Sequence, residues 1–374
     1  MNRAWLIFLL LGLPLVTGCG TPRHVSREYD LLREPRRTWG EKISGRPDST
    51  SAFSGDLTLL YEKKIKGAAD SPILVRDGIV AFKTTRNRFL VFDQSSGKKI
   101  CQIKQRRGIV LDPVVYDSLL VLVKRSDYGE IQVINLYTGR VVSQRQIKEI
   151  RAGPIIIDNG LIIGTTDGLW AIGLPGLETL WRTGAREMVE NIPAADAGMV
   201  YYTIGKGIVR AVRENTGEQV WESDFTSPVI SGFSAGRYLY FSVTDGRILA
   251  VDKIDGKPVW ERSVGYTIRG GVAENEGSVY VGSTDGCVYA LSLVDGSIQW
   301  QFKTGGVITA TPIVYGAVIL IGSQDRYFYS LDSMTGKVID RHRMEGAVTE
   351  AAAAADGRIF IACRKNRLYC FEGY

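Results

Sequence analysis

A chain of 374 residues, 45% hydrophobic and 23% charged, has the make-up of a globular protein with room for one large domain or two to three average ones. Its formal net charge of +6 is too small to imply a nucleic-acid partner. Its two histidines, His24 and His342, have no evident nucleophile or metal partner set in the sequence.

The first 18 residues are predicted to be a targeting segment. Arg3 supplies the positive start, and Ala4 to Val16 form a short apolar run. A spanning helix needs about 20 residues, so this run suits a signal peptide better. It ends in Val16-Thr17-Gly18-Cys19, which resembles a bacterial lipobox. Small residues let the backbone enter the peptidase, and the Cys19 thiol follows to take the lipid. That resemblance implies several acyl chains on Cys19, which would satisfy the need for more than one chain in stable anchoring. By the sorting pattern of the lipoproteins this segment resembles, Gly20 in place of Asp implies the outer membrane and a periplasm-facing lipoprotein. The bland alternative is an ordinary secretory signal followed by a chance cysteine. Residues 19–56 are polar and lack strand periodicity, and they are expected to form a tether.

From residue 57 a phrase of strand, tight turn and strand recurs. It is clearest in Val209 to Trp221, Ile248 to Trp260 and Val288 to Trp300. Three residues keep one spacing: Ala211, Gly217, Trp221; Ala250, Gly256, Trp260; Ala290, Gly296, Trp300. The Trp position is filled in turn by Tyr61, Cys101, Ser143, Trp181, Trp221, Trp260, Trp300 and Asp340, at intervals of 38 to 42 residues. Such a period fits four-stranded propeller blades. A first strand opens near Pro72, Pro113, Pro154, Pro193, Pro228 and Pro312, where no ladder donor is lost. Turns such as Thr166-Asp167-Gly168, Thr244-Asp245-Gly246 and Thr284-Asp285-Gly286 supply the positive φ of a hairpin. The last unit stops at Tyr374 without a fourth strand, while Leu57 to Glu62 is a strand to spare at the other end. The expectation is all-β: an eight-bladed propeller of four-stranded antiparallel blades over 57–374. Its last blade is completed by the N-terminal strand, which leaves no open edge between first and last units.

These repeats resemble the quinoprotein-type (PQQ-like) propeller family. With the lipoprotein signal, the chain is similar to the BamB family of outer-membrane assembly lipoproteins, and Gly346 to Tyr374 is similar to that family's terminal blade. The resemblance implies a non-enzymatic periplasmic scaffold, monomeric by itself and without cofactor or metal. Its implied partners are the membrane, through the lipid, and a component of the β-barrel assembly machinery or its clients. The proposed means are loops on one face, with outer strand edges open to β-augmentation. None of the family's partner-contact residues is carried over. A different periplasmic interaction or sensor propeller has the same repeats, and a small PQQ-dependent oxidoreductase is the enzyme alternative. Against that alternative stand near-minimal repeats and no adjacent cysteine pair.

Charge along the second-to-third strand turns is uneven. Arg86 and Arg88 lie in unit one, Arg326 in unit seven, and Arg364, Lys365 and Arg367 in unit eight, which are neighbours in a closed ring. Lys104, Arg106 and Arg107 follow unit one on the same face, whereas units three, five and six present Asp167, Asp245 and Asp285. This basic arc is either a site for an acidic partner or anionic headgroup, or scattered solvated charge. Cys101, Cys287, Cys363 and Cys370 are open to disulfide bonding or to burial as free thiols. The Asp residues occupy turn positions that backbone geometry already explains, and Gly205-Lys206-Gly207 reads as a hairpin turn.

Overall fold

The computed structural model describes residues 54–373, apart from 77, 105–108, 126–127, 185–186, 206, 231–232 and 276. The signal, Cys19 and most of the tether lie outside the described residues, as do Arg106 and Arg107. The strands form eight separate antiparallel sheets, arranged as an eight-bladed propeller. Blade six shows the pattern: Ala273–Glu274 innermost, then Ser278–Gly282, Cys287–Ser292 and Ile298–Lys303 outermost. Because strands alternate in direction, the first–second and third–fourth turns share one face. The second–third turns and the links between blades share the other.

Small side chains occupy the first strands at Ala194–Asp196 and Ala353–Ala355, whereas Leu74–Arg76, Val114–Tyr116 and Ile313–Tyr315 carry larger ones. The core lies between blades rather than at one centre. Tyr240, Ile248 and Ala250 of blade five, for example, pack on Val279, Val281 and Leu291 of blade six. The proline expectation holds in part. Pro193 and Pro312 immediately precede their first strands, but Pro228 lies six residues ahead of Ser234–Ala235. Pro154 sits inside Ile150–Ile157, where the register to the next strand shifts between Ala152 and Ile155. Blade two also departs from the pattern, with its first strand split into Ile109–Val110 and Val114–Tyr116, both paired with Leu119–Arg125.

The Ala, Gly and Trp spacing is a docking device. Across blade five, Tyr240, Ala250 and Trp260 are direct cross-strand neighbours. The small Ala250 lets the two rings close over it, with centroids 6.0 Å apart. The same trio recurs as Tyr201, Ala211, Trp221 and as Tyr280, Ala290, Trp300. Each indole N–H then donates to the next blade's third–fourth turn: Trp181 to the Glu214 carbonyl (2.7 Å), Trp221 to Lys253 (2.9 Å), Trp260 to Leu293 (3.0 Å) and Trp300 to Ser333 (2.9 Å). The turn's glycine lies flat on that indole. A Cβ added to Gly217, Gly256 or Gly296 would meet the ring at 2.5 Å. Those glycines also have φ of +71°, +72° and +68°, a region that costs other residues about 1–2 kcal/mol. Blade three shows the reciprocal solution. Its turn carries Leu177 at φ +66°, buried, and the preceding blade offers Ser143 in place of a ring. Ser143 donates to the Pro175 carbonyl.

Ring closure is as expected, with the strand shifted two residues. Leu59–Lys64 pairs antiparallel with Arg367–Glu372, placing Tyr61 opposite Cys370 and Lys64 opposite Arg367. Blade eight therefore has no third–fourth turn of its own. The incoming chain takes that place: Asp340, at the Trp position of blade seven, accepts from the Leu57 N–H at 2.8 Å. Arg367 ties the seam further by pairing with Glu62 at 2.6 Å.

Trp260 is 7% exposed. Trp260→Ala removes both its ring packing and its hydrogen bond, and is expected to cost about 3–5 kcal/mol, read as a lowered urea midpoint.

Candidate functional site: a basic cleft between blades seven and eight

The second–third turns carry charge because a hairpin tip is solvated, and in blades five, six and seven an aspartate at the tip folds back on the turn. In blade seven, Asp325 accepts from the Tyr327 N–H (2.9 Å), the Tyr329 hydroxyl (2.7 Å) and the Gly305 N–H (2.8 Å). In blade six, Asp285 accepts from the Cys287 N–H (2.8 Å) and the Tyr289 hydroxyl (2.7 Å). Burial disfavours the Asp285 carboxylate, but these bonds outweigh it and hold its pKa below the usual value. Both aspartates are committed to the fold.

The next residue outward is uncommitted. Arg326 follows Asp325 at φ +73° and is exposed. Across a cleft of about 500 Å³ stand Arg364 and Lys365 of the blade-eight turn, also exposed. Among the described residues, Arg326 and Lys365 have no side-chain hydrogen bond or ion pair, and Arg364 makes one bond of 3.3 Å to the Thr349 hydroxyl. The cleft's acids, by contrast, are occupied: Asp325 as above, and Glu345 by Arg367 at 2.9 Å. The structure thus brings together three of the six basic residues singled out from the sequence. Arg86 is exposed on the neighbouring blade one, outside the cleft. Arg88 is half-buried and donates to Gln102 (3.1 Å), and Arg367 is spent on the seam between Glu62 and Glu345. On the opposite arc, Asp245 is paired with Arg247 at 2.7 Å.

A second opening, of about 350 Å³, lies at the axis on this face and is lined by Lys83, Asp112, Arg151, Glu190 and Asn191. Lys83 stands between Asp70 (3.4 Å) and Asp112 (3.6 Å). Burial raises the Asp112 pKa. Burial also raises that of Glu350, with the nearby Asp112 and Asp70 carboxylates adding to it. No aromatic side chain is among the described lining residues of this mouth to stack on a planar quinone, and its lysine is held by two carboxylates. Arg151, however, lines it with a buried Nε that has no hydrogen-bond partner among the described residues.

The remaining sequence candidates have structural roles. His342 packs edge-on against Phe371 at 4.9 Å, and burial lowers its pKa. Cys101, Cys287, Cys363 and Cys370 are unbridged. Cys363 lies opposite Arg367, and Cys370 opposite Phe360, so the two do not face each other.

The profile of the family described as outer membrane protein assembly factor BamB matches residues 127–223 and 205–373. The chain belongs to the BamB family. BamB from Moraxella catarrhalis has the same fold, with a TM-score of 0.70 at 18% identity, over 85% of this chain and 100% of that one. The computationally designed protein Ika8 superposes with a TM-score of 0.72 at 16% identity, over 84% and 99%. A quinohemoprotein alcohol dehydrogenase from Pseudomonas putida gives 0.69 at 11%, over 85% of this chain and 76% of its own. Comparison with curated protein sequences gives no match. At such identities the likeness of structures is one of fold, and the fold is shared by BamB and by quinone enzymes.

Glu350 supplies a pH test. Its pKa is raised in the fold, so its charged form is disfavoured there relative to the unfolded chain. Stability is lost as pH rises through the window between the unfolded value, about 4.3, and the folded one. Glu350→Gln is therefore expected to stabilise the protein at pH 7 and to give no gain at pH below 4, measured by urea unfolding at both pH values.

Proposed function

We propose that the chain is a non-enzymatic scaffold lipoprotein of the outer membrane, anchored through Cys19 and facing the periplasm. It holds a component of the β-barrel assembly machinery, or that machinery's clients, by their acidic segments. Family membership supports the role at the level of the family. The observation that carries the site is the cleft between blades seven and eight. There, among the described residues, Arg326 and Lys365 are unpaired, Arg364 has a single bond to a hydroxyl, and the carboxylates are engaged. An acidic segment entering there meets Arg326, Arg364 and Lys365 with little competing repulsion, and charge of this kind raises capture rate and selectivity. The rigid ring keeps the three cations in place, and anchoring raises their local concentration at the membrane.

In-cell crosslinking from the cleft, with the captured protein identified by mass spectrometry, tests this reading. Replacing Arg326, Arg364 and Lys365 together by Ala is expected to reduce capture at low salt by tenfold or more, with thermal unfolding unchanged. Unchanged capture removes the cleft as the site. A captured partner foreign to outer-membrane assembly assigns the chain to another envelope function.

A further inference from the structure

On the opposite face, the third–fourth turns share one five-residue construction. The N–H of the fifth residue returns to the carbonyl of the first, as in Gly97 to Asp93, Gly217 to Arg213, Gly256 to Asp252, Gly296 to Ser292 and Gly336 to Asp332. The second carbonyl is gripped by the preceding blade, so the third side chain projects outward. In blades one and four that side chain is Ser95 or Asn215, both exposed. The turn itself therefore has no need of an apolar tip. Yet in three consecutive blades the tips are Ile254, Val294 and Met334, exposed by 84%, 76% and 84%. Asp252 and Asp332 fold back into their turns, accepting from the Ile254 and Thr335 N–H, whereas Asp255 and Asp295 beside the tips are exposed, Asp255 paired with Lys257 and Asp295 accepting from Ser297. At or next to the start of the outer strand that follows each turn stands a further exposed apolar residue, Val259, Ile298 or Val338.

The position that follows Met334 around the ring belongs to blade eight, which has no such turn. The N-terminal chain occupies it, with the Leu57 N–H on Asp340 and Gly55 against Ile339. The apolar arc thus ends where the chain that carries Cys19, 35 positions before Ser54, joins the propeller. We propose that Ile254, Val294 and Met334 form a docking edge for the interfacial zone of a phospholipid bilayer. This rests on the reading of Cys19 as the lipid attachment site. Three apolar tips are too few to hold the protein alone, but a lipid anchor converts their binding into a local event. The edge lays the propeller on the membrane by the face opposite the basic cleft, which leaves the cleft open to the periplasm.

The test places a benzophenone amino acid at position 254, 294 or 334 of the full-length lipidated chain, with position 326 on the other face as control. The chain is reconstituted on vesicles of phosphatidylethanolamine and phosphatidylglycerol, irradiated, and scored for phospholipid adducts by mass spectrometry. Adducts at the three tips at least tenfold above the control are expected. Equal yields on vesicle-bound protein overturn the docking edge and leave the anchor standing. A Cys19→Ala chain that still floats with vesicles overturns the anchor, and its adducts then decide the edge separately. Adducts in cells that are to a protein rather than to lipid also overturn the proposal.

Discussion

Each well-formed junction between blades depends on one contact: an indole N–H reaching a carbonyl in a neighbouring turn, over a glycine that no other residue replaces without strain. The donor, the acceptor and the flat glycine surface come from two blades, so neither blade can complete the contact alone. That is why the architecture is cooperative around the ring although each sheet is built from local hairpins. The same constraint explains the irregular junctions. Where Ser143 takes the place of the ring, Leu177 fills the space that a glycine would leave. Where blade eight has no turn to offer, Asp340 replaces the indole and captures the Leu57 N–H from the arriving N-terminal chain.

Much of this was legible in the sequence because the contact is written in residue types at fixed spacing. Ala250, Gly256 and Trp260 announce the blade, and the surplus strand near Leu59 together with the missing strand at Tyr374 announces the seam. Other features were not legible. The tyrosines at 201, 240 and 280 complete the aromatic row only once strands are paired, and a single strand read alone shows them as ordinary apolar positions. The ladder shift at Pro154 and the split first strand of blade two depend on pairing in the same way.

The site was legible as an arc and not as a geometry. Counting charges in the turns found Arg326, Arg364 and Lys365, but could not tell them from Arg88 and Arg367. The difference lies in partners distant in sequence: Arg367 meets Glu62 across the seam, and Glu345 is engaged by Arg367 rather than left to repel an acidic ligand. The exposed tips Ile254, Val294 and Met334 lay in plain view in the repeats. They gain meaning only when the turn is seen to project them and the chain is seen to join beside them. One face then carries a cationic cleft and the other an arc of three apolar tips, fixed back to back by a rigid ring.

The most direct test of the account is native-state hydrogen exchange at the seam. If the N-terminal strand is an integral member of blade eight, the amides of Leu59–Lys64 that bond to Arg367–Glu372 exchange with the same free energy as those that pair Arg358–Cys363 with Arg367–Glu372, through global opening alone. Exchange of the Leu59–Lys64 amides at a markedly lower free energy than the rest of the blade would show a strand merely laid against an already complete structure, and would contradict it.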